Sequence, residues 1–440
     1  MSVYDPTSPY LLRGDIKLKD LDNVIKTALP FPSSEVDKAF PIKGTAEDGF
    51  LEIYHNCAVP GSIKKAVHPA LNTYGKFFDF RVLVSPDAPC FAYRKYDYVN
   101  KTLENAYTNI SYGEVSERKK NFGAGLMYLL ANLPYKKPDT IESHSLINNH
   151  EQLYNQRKFN LDFLSFVLTI YAPNRYEWIL TDLMCQDYSI TNTSLYDTLG
   201  PDVSKYILEL TQSPVVILDH HNIDTVLNLK KAYPEELKSL ILLISMDPLD
   251  LEGANALNSF EDTLYVQRAA ELGCTLIDLD RVEKLGALFP HKTLPSTPEL
   301  VYTISFTSGT TGSRPKGVVL TNVAATSGNA FLFAKLQPPP NGRTFSFLPL
   351  AHIFERQGLA FCVLYGGVTG FPQRGGTPLT LIEDMKLFKP VHMANVPRVL
   401  TKFEAAIKAN TIENKSLALT RNLFGRVFDT KLELQLKVDG

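Results

Sequence analysis

The stretch Val301–Leu320 reads VYTISFTSGTTGSRPKGVVL, and it joins an apolar run to a strongly polar one. Its first part, 301–306, alternates β-branched and aromatic residues, which predicts a strand that stops at Thr307. Residues 307–317 then contain three glycines, five hydroxyl side chains, one arginine and one lysine. Glycines let backbone N–H groups turn toward phosphate oxygens, and hydroxyl groups add further donors. The stretch therefore predicts a loop that binds a polyanion, with Lys316 as its fixed positive charge.

Two other kinds of loop have a similar composition. A Walker A loop needs Gly-Lys followed directly by Ser or Thr, whose hydroxyl holds magnesium. Here Lys316 is preceded by Pro315 and followed by Gly317, so the loop is not that of a P-loop NTPase. A flexible Ser/Thr/Gly surface loop matches any short window of this composition. The ordered pattern TSGTTG, two further residues and PKG directly after a strand favours phosphate binding over that interpretation.

The overall composition predicts a globular protein with ample material for a core. The chain has 440 residues, of which 44% are hydrophobic and 21% charged. This length predicts two or three subdomains rather than one core. The net charge of −2 gives no electrostatic support for a nucleic-acid partner, and we expect none.

Cysteine usage and the N-terminal sequence both predict an intracellular protein. The five cysteines are far apart and odd in number, which favours free thiols in a reducing compartment. The N-terminal residues include acids and prolines where a secretory signal needs an apolar core. The longest apolar stretches, 163–172 and 358–371, are shorter than the roughly 20 residues that span a bilayer. We therefore expect any membrane contact to be peripheral or to arise through a hydrophobic substrate.

Alternating strand and helix patterns begin at residue 163 and predict an α/β fold. Strands at 163–171, 188–193 and 215–219, separated by helices at 173–187 and 202–210, predict a parallel sheet with right-handed crossovers. Upstream, Ser111 and Glu114 have the spacing of a capping box, which predicts a helix over 110–132. Further predicted elements are strands at 78–83, 90–93, 367–371 and 392–396, and helices at 224–233 (capped by Asp224), 322–336, 380–388 and 397–408.

These patterns divide the chain into four regions. We expect an N-terminal arm and domain edge over 1–100, followed by a first α/β subdomain over 101–300. The phosphate loop and a second α/β subdomain are expected over 301–410, and a polar tail over 411–440. Within the first subdomain, His220 and His221 have no acidic or cysteine partner at metal-ligand spacing, so no metal site is predicted.

A second unusual stretch, PLAHIFERQG at 349–358, follows the phosphate loop. A lone histidine such as His352 is more often a hydrogen-bonded structural residue than a functional one. Glu355 and Arg356 are adjacent opposite charges, for which a local ion pair at a helix start and a role at a substrate channel both remain open. The phosphate loop a short way upstream favours a functional His352.

These motifs together resemble those of the adenylate-forming enzymes. TSGTTG-x-x-PKG after a strand resembles their phosphate-binding loop, although the family usually has one residue where this chain has Ser313 and Arg314. PLAHIFER resembles the fatty-acyl branch, and the stretches 174–217 and 382–408 are similar to fungal long- or medium-chain fatty-acyl-CoA synthetases of the peroxisomal type. The resemblance implies the large N-terminal domain of the acyl-adenylate-forming fold, with parallel sheets flanked by helices in stacked subdomains.

The resemblance also implies a reaction. A fatty carboxylate attacks the α-phosphorus of ATP, with Mg²⁺ present, and coenzyme A then displaces AMP to give a thioester. His352 is implied as the catalytic residue beside the substrate carboxylate. The residues implied in nucleotide binding are Thr307, Ser308, Gly309, Thr310, Thr311, Gly312, Lys316 and Gly317. A peroxisomal location is implied first, with the endoplasmic reticulum or a lipid-droplet surface as the alternative.

Part of the family pattern is absent before Gly440. The Tyr-Gly-x-Thr-Glu segment, the aspartate that holds the ribose and the small C-terminal domain do not occur in these 440 residues. The sequence is therefore expected to be the N-terminal portion of such a synthetase, with a fold incomplete at its C-terminus. The alternative is a catalytically incomplete remnant that only binds nucleotide or acyl chains. The sequence does not indicate the preferred acyl length or the oligomeric state.

Overall fold

The computed structural model describes residues 3–5, 7–27, 39–56, 63–133, 166–196, 200–251, 259–307, 314–336, 342–374, 376 and 380–411, with parts of 422–433. The chain divides into two compact units, Met1–His392 and Met393–Gly440. The second unit contains one long described helix, Pro397–Thr411, which corresponds to the predicted helix at 397–408. All other elements below belong to the first unit.

The elements follow one another in an order that separates two sheets. The N-terminal part contains α1 (Leu18–Thr27), β1 (Ala39–Pro41), β2 (Tyr54–Asn56), α2 (Tyr74–Val84), β3 (Pro89–Asp97), β4 (Thr102–Ser111) and α3 (Tyr112–Asn132). The middle contains β5 (Val167–Tyr171), α4 (Tyr176–Asp187), β6 (Thr191–Leu195), α5 (Pro201–Thr211), β7 (Val215–Leu218), α6 (Ile223–Ala232), β8 (Leu242–Ser245), α7 (Ser259–Glu271), β9 (Thr275–Asp278) and α8 (Leu279–Leu288). The last part contains β10 (Val301–Thr307), β11 (Lys316–Thr321), α9 (Asn322–Lys335), β12 (Arg343–Phe345), α10 (Ile353–Tyr365), β13 (Val368–Gly370) and α11 (Thr380–Phe388).

The larger sheet has seven strands in the order β11-β10-β6-β5-β7-β8-β9. Every neighbouring pair is parallel except β10 and β11, which form an antiparallel hairpin. Strands β5 to β8 are buried along their whole length, as expected for a parallel sheet covered by helices on both faces. Because the chain passes from β5 to β6 on one side and returns to β7 on the other, the carboxyl end of β5 is a topological switch point.

The smaller four-stranded sheet has the order β12-β13-β3-β4. Strands β12, β13 and β3 are parallel, whereas β3 and β4 form an antiparallel pair that the sequence did not predict. Helix α3 follows β4 directly and begins with the predicted capping box. The backbone N–H of Glu114 donates to Ser111 Oγ at 3.2 Å, and the N–H of Ser111 donates to Glu114 Oε2 at 2.7 Å. That prediction is confirmed.

Two of the predicted elements and one predicted helix cap are wrong. Residues 78–83 belong to helix α2, where Phe77, Phe78 and Phe80 are all buried and therefore give the sequence no amphipathic period. Asp224 lies inside the first turn of α6 and does not cap it. Residues 392–396 form no strand, and His392 makes only a single bridge with Thr344.

The described cysteines agree with the expectation of free thiols. Cys90, Cys185, Cys274 and Cys362 are free and buried, and Cys57 lies outside the described residues. Within the described part of the chain, no helix is both long and apolar enough to cross a membrane.

Helices α3 and α8 approach each other so closely that glycine is required at their contact. A Cβ atom on Gly286 would lie 1.7 Å from the carbonyl oxygen of Asn121, and one on Gly125 would lie 1.9 Å from that of Val282. Both obstacles are backbone atoms, which cannot move without shifting a whole helix. By contrast, a Cβ atom on Gly358 in α10 would meet nothing within 4 Å.

One acid is buried beneath the connection between β12 and α10. Glu355 is only 3% exposed, and its carboxylate accepts hydrogen bonds from the side chain of Ser346 and the backbone of Phe347. Its Oε2 atom has no hydrogen-bond partner. Burial raises the pKa of Glu355 from its ordinary value near 4.5 to about 7. The folded chain therefore holds this carboxyl in its neutral form more readily than the unfolded chain does.

The helix contact predicts that Gly286→Ala destabilises the fold by about 2 kcal/mol or more, because the helices must separate to admit the methyl group. Chemical unfolding monitored by circular dichroism measures the change. Gly358→Ala is the matched control, and it should be neutral or stabilising by up to about 1 kcal/mol since alanine is the better helix former. Equal effects from the two substitutions would contradict the close contact.

Glu355 predicts a second, pH-dependent effect on stability. An acid whose pKa is raised by folding does not lower the free energy of unfolding below pH about 4.5. Above that pH its ionisation lowers the free energy of unfolding progressively, until pH about 7. Glu355→Gln should therefore gain stability relative to the natural chain by roughly 2 to 3 kcal/mol between pH 5 and pH 8. Glu117→Gln, at an exposed position on α3, should show no such trend. Parallel pH profiles for Glu355→Gln and the natural chain would refute the raised pKa.

Candidate active site

The predicted phosphate loop joins the two strands of the β10–β11 hairpin. Strand β10 confirms the predicted strand, and Thr307 at its end lies opposite Lys316, the first residue of β11. The side chains of both residues are exposed to solvent. The predicted binding residues between them, Ser308, Gly309, Thr310, Thr311 and Gly312, lie outside the described residues. The hairpin thus presents one lysine and one threonine at the base of the loop.

The last residues of the motif belong to strand β11 rather than to the loop itself. Gly317 pairs with Phe306, and a Cβ atom there would lie 3.0 Å from Ile304 Cγ2 and 3.2 Å from the ring of Phe306. Gly317 therefore leaves room for these two side chains of β10. Arg314, part of the extra residue pair in the motif, lies with its guanidinium 5.2 Å from the ring centre of Tyr206 on α5.

His352 directly precedes α10, at the same edge of the larger sheet as Thr307 and Lys316. Its side chain is exposed and makes no capping hydrogen bond, and its ring centre is 5.5 Å from that of Tyr196. Tyr196 directly follows β6, which runs parallel to β10. The hydroxyl of Ser305 on β10 donates to the carbonyl oxygen of Ala351 at 3.5 Å. The structure therefore brings the PLAH segment to the carboxyl ends of β6 and β10.

Glu355 and Arg356 are adjacent in the sequence but do not form the ion pair that the sequence left open. Arg356 is 2% exposed and donates through Nε to the carbonyl oxygen of Leu350 at 2.8 Å. Its other nitrogens donate to Asn192 Oδ1 and Ser194 Oγ, each at 3.1 Å. Both partners belong to β6, so Arg356 fixes α10 to the larger sheet.

The histidine pair at 220–221 lies at the carboxyl end of β7, and each ring has a carboxylate partner. His220 Nε2 is 2.6 Å from Asp262 Oδ1, and His221 Nδ1 is 2.6 Å from Asp219 Oδ1. The hydrogen bond with Asp262 raises the pKa of His220. Sequence spacing could not show the partner at 262, which the fold brings close. Among the described residues, no group of three or more His, Cys, Asp or Glu side chains could hold a metal ion.

Asp247 is a polar centre that sequence reasoning missed. Buried at the end of β8, it accepts hydrogen bonds from Tyr98 at 2.7 Å, Arg374 at 2.8 Å, Arg175 at 3.0 Å and the backbone of His220 at 3.0 Å. The one local signal in the sequence is an acid three residues after the apolar run 240–244. Tyr98, His220 and Arg374 also line a cleft of about 540 Å³.

Comparisons with known proteins agree on the family. The family model described as "AMP-binding enzyme" matches residues 167–428. The chain is 30% identical to "Acyl-CoA ligase 891, peroxisomal" of Penicillium brevicompactum, covering 87% of this chain and 49% of that protein. It is 34% identical to "Long-chain-fatty-acid–CoA ligase 5" of Rattus norvegicus, covering 75% of this chain and 41% of that protein. The chain spans about half the length of the curated relatives it matches.

Solved structures support the same fold at low sequence identity. The adenylation domain of a carboxylate reductase from Mycobacterium chelonae superposes with a TM-score of 0.60 at 18% identity, over 78% of this chain and 48% of that one. The corresponding domain from Segniliparus rugosus, solved with AMP and a co-purified carboxylic acid, gives 0.58 at 20% identity, over 77% and 50%. These likenesses confirm the predicted acyl-adenylate-forming α/β fold. Together with the family match, they show that the chain belongs to the AMP-binding enzyme family.

Proposed function

We propose that this protein is a long- or medium-chain fatty acid–CoA ligase that activates its substrate through an acyl-adenylate. The observation that supports the proposal is the position of the Thr307–Lys316 hairpin and His352 at one edge of the larger sheet. In a family whose members bind AMP, this edge offers a loop for the nucleotide phosphates beside a residue suited to a carboxylate. The names of the relatives supply the substrate class, a fatty acid, and the second substrate, coenzyme A.

The proposed chemistry has two steps. A carboxylate oxygen of the fatty acid attacks the α-phosphorus of ATP, and the bond to pyrophosphate breaks to leave an acyl-adenylate. The thiol of coenzyme A then attacks the acyl carbon, the bond to AMP breaks, and the thiol proton is lost to give the thioester. The first step brings two anions together, so it needs positive charge and hydrogen-bond donors on the phosphates and exclusion of water.

The residues proposed for nucleotide binding are those of the hairpin loop. Ser308, Thr310, Thr311 and Lys316 would hold the β- and γ-phosphates, with Thr307 at the base of the loop. Gly309 and Gly312 would let the loop approach the nucleotide, while Gly317 shapes β11 beneath it. Mg²⁺ would accompany ATP and neutralise part of its charge.

The residues proposed for the fatty acid lie on the first turns of α10. His352 would orient the carboxylate, because its exposed ring has no capping role. Phe354 is 52% exposed, and Gly358 on the same helix face leaves open space. An acyl chain could cover this apolar face once its carboxylate reaches His352. The peroxisomal names of the fungal relatives support a peroxisomal location for this protein as well.

The proposal predicts fatty-acid-dependent exchange between ATP and pyrophosphate by the purified chain, assayed across medium and long acyl lengths. Lys316→Ala should lower the exchange rate by roughly 100-fold or more, since a charge facing the phosphates is lost. Lys231→Ala, which removes an exposed lysine from α6, should leave the rate unchanged.

The same assay separates the proposal from its alternative. Nucleotide binding by calorimetry without any exchange, from a folded sample, would favour a chain that only binds nucleotide or acyl groups. Exchange that does not depend on Lys316 would contradict the assignment of the hairpin loop.

A further inference from the structure

The connection between β12 and α10, residues 346–351, is the segment that carries His352. It has no regular secondary structure. Ser346 donates its N–H to the carbonyl oxygen of Gly370 at 2.9 Å, and the segment is otherwise bound by side chains, among them those of Asn174 and Arg356. His352 is held by backbone hydrogen bonds: its N–H donates to the carbonyl oxygen of Pro349 at 2.9 Å, and its carbonyl oxygen accepts the N–H of Glu355 at 3.2 Å. The position of its ring therefore depends on how firmly this segment is held.

Asn174 uses its whole carboxamide on this segment. Its Nδ2 atom donates to the carbonyl oxygen of Leu348 at 2.6 Å and to that of Ser346 at 3.2 Å. Its Oδ1 atom accepts the N–H of Leu350 at 3.0 Å. One side chain thus binds three residues of an irregular connection. Its amide nitrogen donates and its amide oxygen accepts, as the chemistry of a carboxamide requires.

The location of Asn174 explains why it can act as an anchor. It lies in the short connection between β5 and α4, at the carboxyl end of the central strand of the larger sheet. Its neighbour Arg175 is bound to Asp219 at 2.7 Å and to Asp247 at 3.0 Å. The backbone that carries Asn174 is therefore held by the sheet on one side and by buried ion pairs on the other.

From these contacts we propose that Asn174 is a positioning residue for His352, acting through the backbone of residues 346–350. The link from His352 to the substrate rests on the proposed function, in which His352 orients the acyl carboxylate. We do not propose that Asn174 itself contacts the substrate. Its contribution is to keep the histidine at one place relative to the hairpin loop when the carboxylate and ATP approach each other.

The first test measures the positioning itself and does not depend on catalysis. Hydrogen–deuterium exchange of the amides in 346–352 should accelerate at least about tenfold in Asn174→Ala, while the amides of β8 keep their natural rates. Asn174→Asp should behave like the alanine variant, because a carboxylate has no donor for the carbonyl oxygens of Ser346 and Leu348. Asn132→Ala, at the exposed end of α3, is the control. Unchanged exchange in 346–352 in either Asn174 variant would overturn the inference.

The second test links Asn174 to His352 through a double-mutant cycle in the fatty-acid-dependent exchange assay. Asn174→Ala should lower kcat by roughly 10- to 100-fold, with the KM for ATP within about twofold of the natural value. In a His352→Ala background the same substitution should have no further effect. Independent, additive losses would show a general structural role and overturn the proposal.

The two tests distinguish failure of the inference from failure of the proposed function. If the natural chain shows no exchange activity but the 346–352 amides respond to Asn174→Ala, the positioning stands and the ligase proposal fails for this chain. If the natural chain is active and Asn174→Ala matches it in both assays, the ligase proposal stands and the positioning role is wrong.

Discussion

The ion pairs of Arg175 at the carboxyl end of β5 are the interaction on which the first unit depends. Its guanidinium binds Asp219 after β7, Asp247 after β8 and, through Nε, Glu177 at 2.8 Å. Removing a charge from water costs several kcal/mol unless partners with good geometry compensate it. The buried charge of Arg175 therefore requires the carboxylates of Asp219 and Asp247. These ion pairs hold the carboxyl ends of β7 and β8 together.

This centre also joins the two sheets. Tyr98 follows β3 and Arg374 follows β13, both from the smaller sheet, and each donates to Asp247. On the other side of the same backbone, Asn174 binds the connection between β12 and α10. Side chains from distant parts of the sequence thus meet at one edge, as is usual for ligand sites in open α/β sheets. Thr307, Lys316 and His352 lie along that edge because β10, β6 and β5 are neighbours.

Local patterns in the sequence predicted much of this fold. The alternation along β10, the capping box of α3 and the bounds of α11 required only nearest neighbours in the chain, and the structure confirms them. Predictions failed where burial does not follow residue type. Helix α2 buries the charged Arg81 and exposes Leu83, so its sequence has no amphipathic period to detect. At 392–396 the apolar residues suggested a strand, but pairing needs a partner strand that no local pattern can specify.

For the site, the sequence by itself determined the chemistry of the groups: a glycine- and hydroxyl-rich loop with a lysine, and a histidine in a PLAH segment. The proposal that this loop binds phosphates rests on residue types at short spacing, because a phosphate needs donors and positive charge wherever the loop lies. The tertiary structure alone decided that Asn174 anchors the segment of His352, that Glu355 is buried with an unpaired oxygen, and that Arg356 binds β6 rather than Glu355. Hydrogen-bond partners and burial depend on which distant strands the fold brings together, and no local sequence pattern contains that information.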